Sequence, residues 1–177
     1  LRTYYGQITM IDEMIGKVLD QLDTQGMRER TLIVFTSDHG DMAGSHAAVG
    51  KDIPAFFEPL IRVPLILSCK GKIPGGTVVD ELVTPMDIMP TILDYAEYAD
   101  FIPEGIDGSS LRPLIEGDTV SWRDQVIGMR DYPSEEPNTQ YMIRNKRWKY
   151  WWNYQEDLVP HLYDLETDSL EKNNLAG

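Results

Sequence analysis

The sequence predicts an α/β fold followed by a small antiparallel β subdomain. Three observations carry this. Up to about residue 98 a helical repeat alternates with short unbroken apolar runs, the pattern of an α/β layer. From Ile102 to Asp124 the texture changes to Gly, Pro and turn formers, which read as a linker over the surface. After that come four short strand candidates with no helical repeat among them. Residues 1–120 are therefore expected to form the α/β layer and 121–177 the small antiparallel subdomain.

The elements follow in order. Ile8, Ile11, Ile15, Val18, Leu19 and Leu22 recur at helical spacing, so a helix is expected from Arg2 to Gln25, with Gly26 as its stop. Thr31 to Phe35 is apolar without alternation, which fits a strand covered on both faces in a parallel sheet. Between Met42 and Arg62 there is no period, and a long loop is expected. Val63 to Ser68 is a second apolar strand, Lys70 to Gly76 a turn, and Val78 to Val83 a short strand. Asp87 reads as the N-cap of a helix to about Tyr98, with Pro90 in its first turn. Val126 to Arg130, Tyr141 to Arg144, Trp148 to Trp152 and His161 to Asp164 are the four late strands. Asn145 and Lys146 form the turn between the middle two. Along the third of these, Trp148, Tyr150 and Trp152 alternate, and are expected to be the core face with the charges on the wet side.

The chain has 177 residues, with 16 basic against 29 acidic residues and a net charge of −13. A field of that sign disfavours nucleic acid and anionic membranes. It also repels an anionic substrate, so a site for one must carry its own positive charge. No apolar run is long enough to cross a bilayer and no opening segment reads as a signal peptide. The chain begins at Leu1 and stops at Gly177, and both ends read as cut. The single cysteine, Cys69, excludes an internal disulfide framework and a multi-cysteine zinc site.

Chemistry concentrates where the first strand ends. Asp38 and His39 sit at that end, the usual address of ligands in open α/β sheets. A carboxylate and an imidazole side by side, backed by Gly40, can both reach one divalent cation. The carboxylate suits calcium, magnesium or manganese, and the imidazole admits manganese or zinc. Ser-Asp-His-Gly also fits a plain turn in which Asp38 bonds its own backbone. Two ligands are too few for a site, so others must come from elsewhere.

The surrounding order is more specific than any one residue. Thr31-Leu-Ile-Val-Phe-Thr-Ser-Asp-His-Gly-Asp runs into Gly44-Ser-His46, Gly50-Lys51, Phe57-Glu58 and Arg62-Val-Pro-Leu-Ile. This resembles the sulfatase family of the alkaline phosphatase superfamily. The likeness extends to Tyr5–Leu22, to Val83-Thr-Pro-Met-Asp87 with Pro90-Thr91-Ile-Leu93, and to Gly108-Ser-Ser-Leu111. It continues through Arg144–Tyr150, Leu162-Tyr-Asp-Leu165 and Glu171–Leu175. It implies part of an alkaline-phosphatase-like sheet flanked by helices, with a C-terminal hairpin region. Phosphonate monoester hydrolases share most of these blocks.

The resemblance implies roles. Asp38 and His39 are the metal ligands, with calcium as the usual metal and manganese or magnesium as alternatives. Lys51 contacts the sulfate and counts as catalytic and substrate-binding. His46 is a candidate to protonate a leaving group or orient Lys51. Asp41 is expected to order the loop, Arg62 to pair with Glu58, and Asp12 and Asp87 to be structural. The family nucleophile, a formylglycine made from Cys or Ser, is expected outside this chain, because Ser68-Cys-Lys-Gly-Lys72 lacks its motif. The expected partners are a sulfated small molecule or glycan and the rest of a sulfatase chain, in an exported, periplasmic or lysosomal setting. Two rivals stand beside this reading. One is a phosphonate monoester or phosphodiester hydrolase using the same residues. The other is an inactive carbohydrate-binding or structural module, suggested by the aromatic stripe of Trp148, Tyr150 and Trp152.

Overall fold

The computed structural model describes residues 2–51, 56–132, 138–153 and 159–177. Helix α1 spans Arg2–Thr24. It ends as its sequence dictates: Gly26 takes φ +62°, its N–H donates to the Asp23 carbonyl, and the Met27 N–H donates to that of Leu22. That pair of bonds is a Schellman stop. The apolar stripe of α1 remains open, with Ile8, Ile11 and Val18 half or more exposed.

Strand β1 is Ile33–Thr36, helix α2 is Glu58–Ile61 and strand β2 is Leu65–Ser68. The two strands pair antiparallel, from Ile33 opposite Ser68 to Thr36 opposite Leu65. The expected parallel neighbour for β1 is not found among the described residues. An unbroken apolar run specifies that both faces are apolar, not which way the partner runs. Phe35 and Ile66 are in fact open to solvent. Residues 78–83 form no strand either. Val79 and Val83 turn into the core while Val78 is exposed, so the segment packs as irregular backbone.

Helix α3, Ile88–Tyr95, is shorter than expected and is started differently. Asp87 holds the N-cap position of α3, but its side chain makes no cap bond there, and the capping residue is Thr84 one turn earlier. It opens a 3₁₀ turn, Pro85–Asp87, that runs into α3, and Thr84 and Asp87 bond reciprocally as a capping box. Pro85, tolerated at a first helical position, moves the start upstream. The stretch expected as a linker contains helix α4, Arg112–Glu116, too short for periodicity to register. Its Ile115 joins Leu111 and Tyr95 in a core over Leu32, Leu65, Leu67, Val79 and Val83. Trp122 also packs there, and its Nε1 donates to the Leu82 carbonyl at 2.8 Å.

The last third forms the antiparallel sheet that the strand spacing predicts. Its strands are β3 (Val126–Tyr132), β4 (Asn138–Arg144), β5 (Trp148–Asn153) and β6 (His161–Asp164), in that order. Asn145 makes the β4–β5 turn, its side-chain oxygen accepting from the N–H groups of Arg147 and Trp148. The faces of β5 are the reverse of expectation. Lys149, Trp151 and Asn153 are buried, while Trp148 is exposed and Tyr150 and Trp152 are half-buried. Tyr141 and Tyr150 both stack on Trp152 on that outer side. The inner face packs Met142, Trp151 and Tyr163 against Phe56, Phe57 and Ile61. It can hold Lys149 because carboxylates wait there, a pairing that alternation of residue types does not reveal.

Candidate active site

β1 delivers its chain into a tight turn at Ser37–Gly40. The Ser37 hydroxyl donates to the His39 carbonyl at 2.7 Å, and the His39 N–H donates to Asp38 Oδ1 at 3.0 Å. That backbone bond is the largest influence on Asp38 and holds its carboxyl below the usual range. Asp38 is thus ionised at neutral pH and ready to ligate. His39 Nδ1 lies 2.8 Å from the Gly40 carbonyl. A carbonyl only accepts, so Nδ1 is the donor in this contact and Nε2 is the ring nitrogen left to face a ligand. Nε2 lies 3.6 Å from Asp38 Oδ2.

These donors fit a divalent cation. Their separation suits two ligands on one ion, whose bonds run about 2.0–2.6 Å. The carbonyl behind the imidazole is the outer partner that metal-bound histidines ordinarily have. Among the described residues no third His, Cys, Asp or Glu joins the pair.

Gly40 ties this turn to α2. Its N–H donates to the Leu60 carbonyl at 2.8 Å, and a Cβ there would overlap the Pro59 carbonyl oxygen. Only glycine permits that approach. The loop beyond is ordered by Asp41, whose Oδ1 accepts from Ala43 N at 2.7 Å and Gly50 N at 3.3 Å. Ala43, His46 and Ala47 all adopt left-handed backbone there, a costly conformation for side-chain-bearing residues.

Asp38, His39 and Lys51 line one cavity of about 410 Å³. Its walls include Leu60, Val63, Pro85 and Met129, and Arg130 adds a second cationic side chain. Arg130 Nη2 donates to the Lys51 carbonyl at 3.2 Å. Nothing in the local sequence marks Arg130, since it arrives from β3 in the other sheet. His46 does not line this cavity. Its ring stacks on Phe57 with centroids 3.8 Å apart, beside a separate cleft bordered by Glu58, Arg62 and Ser169. Glu58 is paired, but not with Arg62: its partners are Lys149 at 3.0 Å and Arg144 at 3.3 Å. Arg62 borders the cleft, while the buried sheet face supplies the cations that Glu58 meets.

Cys69 is a buried free thiol just past β2 and takes no part in the lining. Asp87 is structural. Burial works against its charge, yet Arg123 at 2.5 and 2.7 Å and the N–H groups of Ser109 and Thr84 outweigh that and hold its carboxyl low. Arg123 therefore anchors the approach to β3 in the first layer.

The family profile described as Sulfatase matches residues 1–98, more than half of the chain. The chain belongs to the sulfatase family. An arylsulfatase of Clostridium perfringens is 37% identical over 177 residues, covering 98% of this chain and 35% of that protein. A multifunctional alkaline phosphatase superfamily protein of Trinickia caryophylli is 33% identical over 190 residues, covering 99% of this chain and 36% of its own. A solved structure of a protein in complex with its substrate D-glucosamine-2-N,6-O-disulfate superposes with a TM-score of 0.85 at 31% identity. It matches over 96% of this chain and 35% of the other. The α/β sulfatase fold expected from the sequence is thus the observed one. The chain spans about a third of the length of the curated relatives it matches.

Proposed function

We propose that this chain is the part of a sulfate-ester hydrolase that supplies Asp38 and His39 to a divalent metal and Lys51 to the substrate's anionic group. The observation that carries the reading is that these three residues line one cavity. A bound divalent cation, calcium by family likeness with manganese or magnesium as alternatives, would neutralise ester oxygens as a Lewis acid. Asp38 offers an ionised oxygen, and His39 offers Nε2, its Nδ1 being engaged by the Gly40 carbonyl. The Lys51 ammonium binds an ester oxygen and stabilises charge that builds on it. Leu60, Val63, Pro85 and Met129 give the organic part of the ester an apolar wall. His46 has no role in this proposal, because its ring is stacked on Phe57 beside a different cleft. The formylglycine nucleophile is expected on a part of the protein outside these residues.

The substrate class proposed is a sulfated sugar or other small sulfate ester. The disulfated glucosamine bound to the structural neighbour supports it. A phosphonate or phosphodiester hydrolase is the second reading, favoured by likeness to the multifunctional Trinickia protein. Assaying the full-length enzyme on an aryl sulfate, a sulfated glucosamine and an aryl phosphonate monoester separates the two. The sulfates are expected to turn over faster, and a larger rate on the phosphonate would transfer the assignment to the second reading.

A further inference from the structure

Lys149 is fully buried on the inner face of β5, an expensive place for an ammonium. Its Nζ meets Glu58 Oε1 at 3.0 Å and is ion-paired with Glu171 Oε1. Glu171 is itself 2% exposed, and its other oxygen accepts the Glu58 N–H at 2.6 Å. Arg144 closes the group at 3.3 Å from Glu58 Oε2. The first residue of α2 is therefore gripped through both side chain and backbone by residues far along the chain.

The grip leads to the metal pair. Three residues of α2 separate Glu58 from Leu60 inclusive, and the Leu60 carbonyl holds the Gly40 N–H at 2.8 Å. The Gly40 carbonyl in turn holds His39 Nδ1 at 2.8 Å. The path from Glu171 to the imidazole contains only hydrogen bonds, ion pairs and one helical turn. Pro59 adds a steric stop, because its carbonyl lies where a Cβ of residue 40 would be. Stability alone is a weak account of the buried charges, since such groups are often replaceable by apolar residues of equal volume without loss.

We infer that Glu171, Lys149 and Glu58 are positioning residues: acting through α2 and Gly40, they set the orientation of His39 and its spacing from Asp38. The inference rests on the reading of Asp38 and His39 as metal ligands. It makes the C-terminal sheet a working part of the metal site although that sheet supplies no ligand to it.

The test is a calorimetric titration of the metal-free full-length enzyme with Mn²⁺. Glu171→Gln and Lys149→Met are expected to weaken binding about tenfold, the low end of the loss that follows removal of a direct outer partner of a metal ligand. Ile115→Ala, in the core beneath α3, lowers Tm without touching the path and is expected to leave Mn²⁺ affinity unchanged. A folded Glu171→Gln enzyme with wild-type affinity would overturn the inference, and this milder variant decides the matter if Lys149→Met does not fold. Equal losses of affinity in Ile115→Ala and the network variants would also overturn it, by reducing the network to general stability. Asp38→Asn distinguishes the two levels: if it too leaves Mn²⁺ binding intact, the ligand reading fails and the positioning role falls with it.

Discussion

Lys51 and Gly40 show two ways in which single residues matter. Lys51 is exposed and lines the cavity. Lys51→Ala in the full-length enzyme is expected to lower kcat/KM about 10²–10³-fold, the scale for removing one electrostatic stabiliser. Thermal denaturation should show Tm unchanged, because no packing is lost. Gly40 is the opposite case. A methyl group there strikes the Pro59 carbonyl, so Gly40→Ala must push α2 away from the turn. Both Tm and divalent-metal affinity should fall, and retention of either, by scanning calorimetry or metal titration, would contradict the close approach. The abrupt polar run after β1 singled out Asp38 and His39, whereas Lys51 entered only through the resemblance to sulfatases. Arg130 could not be found that way, since nothing local distinguishes an arginine that ends at a cavity from one that ends in water.

At the scale of elements, buried charge decides several joints. The Thr84–Asp87 capping box starts the turn into α3, and Asp87 also receives Ser109 and Arg123. Arg123→Met should cost about 3–5 kcal/mol, the usual effect of leaving a buried charge without its partner, measured by urea denaturation at neutral pH. The sign of the pH effect follows from linkage. The carboxyl of Asp87 is held below its unfolded value, so its contribution is present above the unfolded pKa of about 3.9. It is lost as pH falls through the lower, folded value. Acid unfolding of Arg123→Met should therefore begin at higher pH than in the wild type. A coincident acid transition would show that the pair is not coupled to folding. The strand and helix positions were largely legible, because periodicity and turn residues are local. The direction of β1 against β2 and the inner face of β5 were not, because a partner strand and a carboxylate cluster are supplied by distant chain.

Among the described residues the molecule has two hydrophobic cores. One lies under α3 and α4, and the other lies between Phe56–Ile61 and the four-stranded sheet. Among the described residues only Asp38 and His39 meet at the proposed metal site, which predicts weak binding by these 177 residues alone. Titration of this chain with Ca²⁺ or Mn²⁺ should give no tight site, whereas the full-length enzyme should give one. A tight site in the shorter chain would mean that the ligand set is complete without further segments. The family and the α/β-then-β order were readable from ordered local motifs, which also nominated Asp38, His39 and Lys51 as candidates. Tertiary structure alone decided that Arg130 enters the cavity and that His46 packs on Phe57. It also decided that Lys149 is buried between Glu58 and Glu171. Each of those outcomes depends on which distant group fills the space beside a side chain, and residue type does not encode that space.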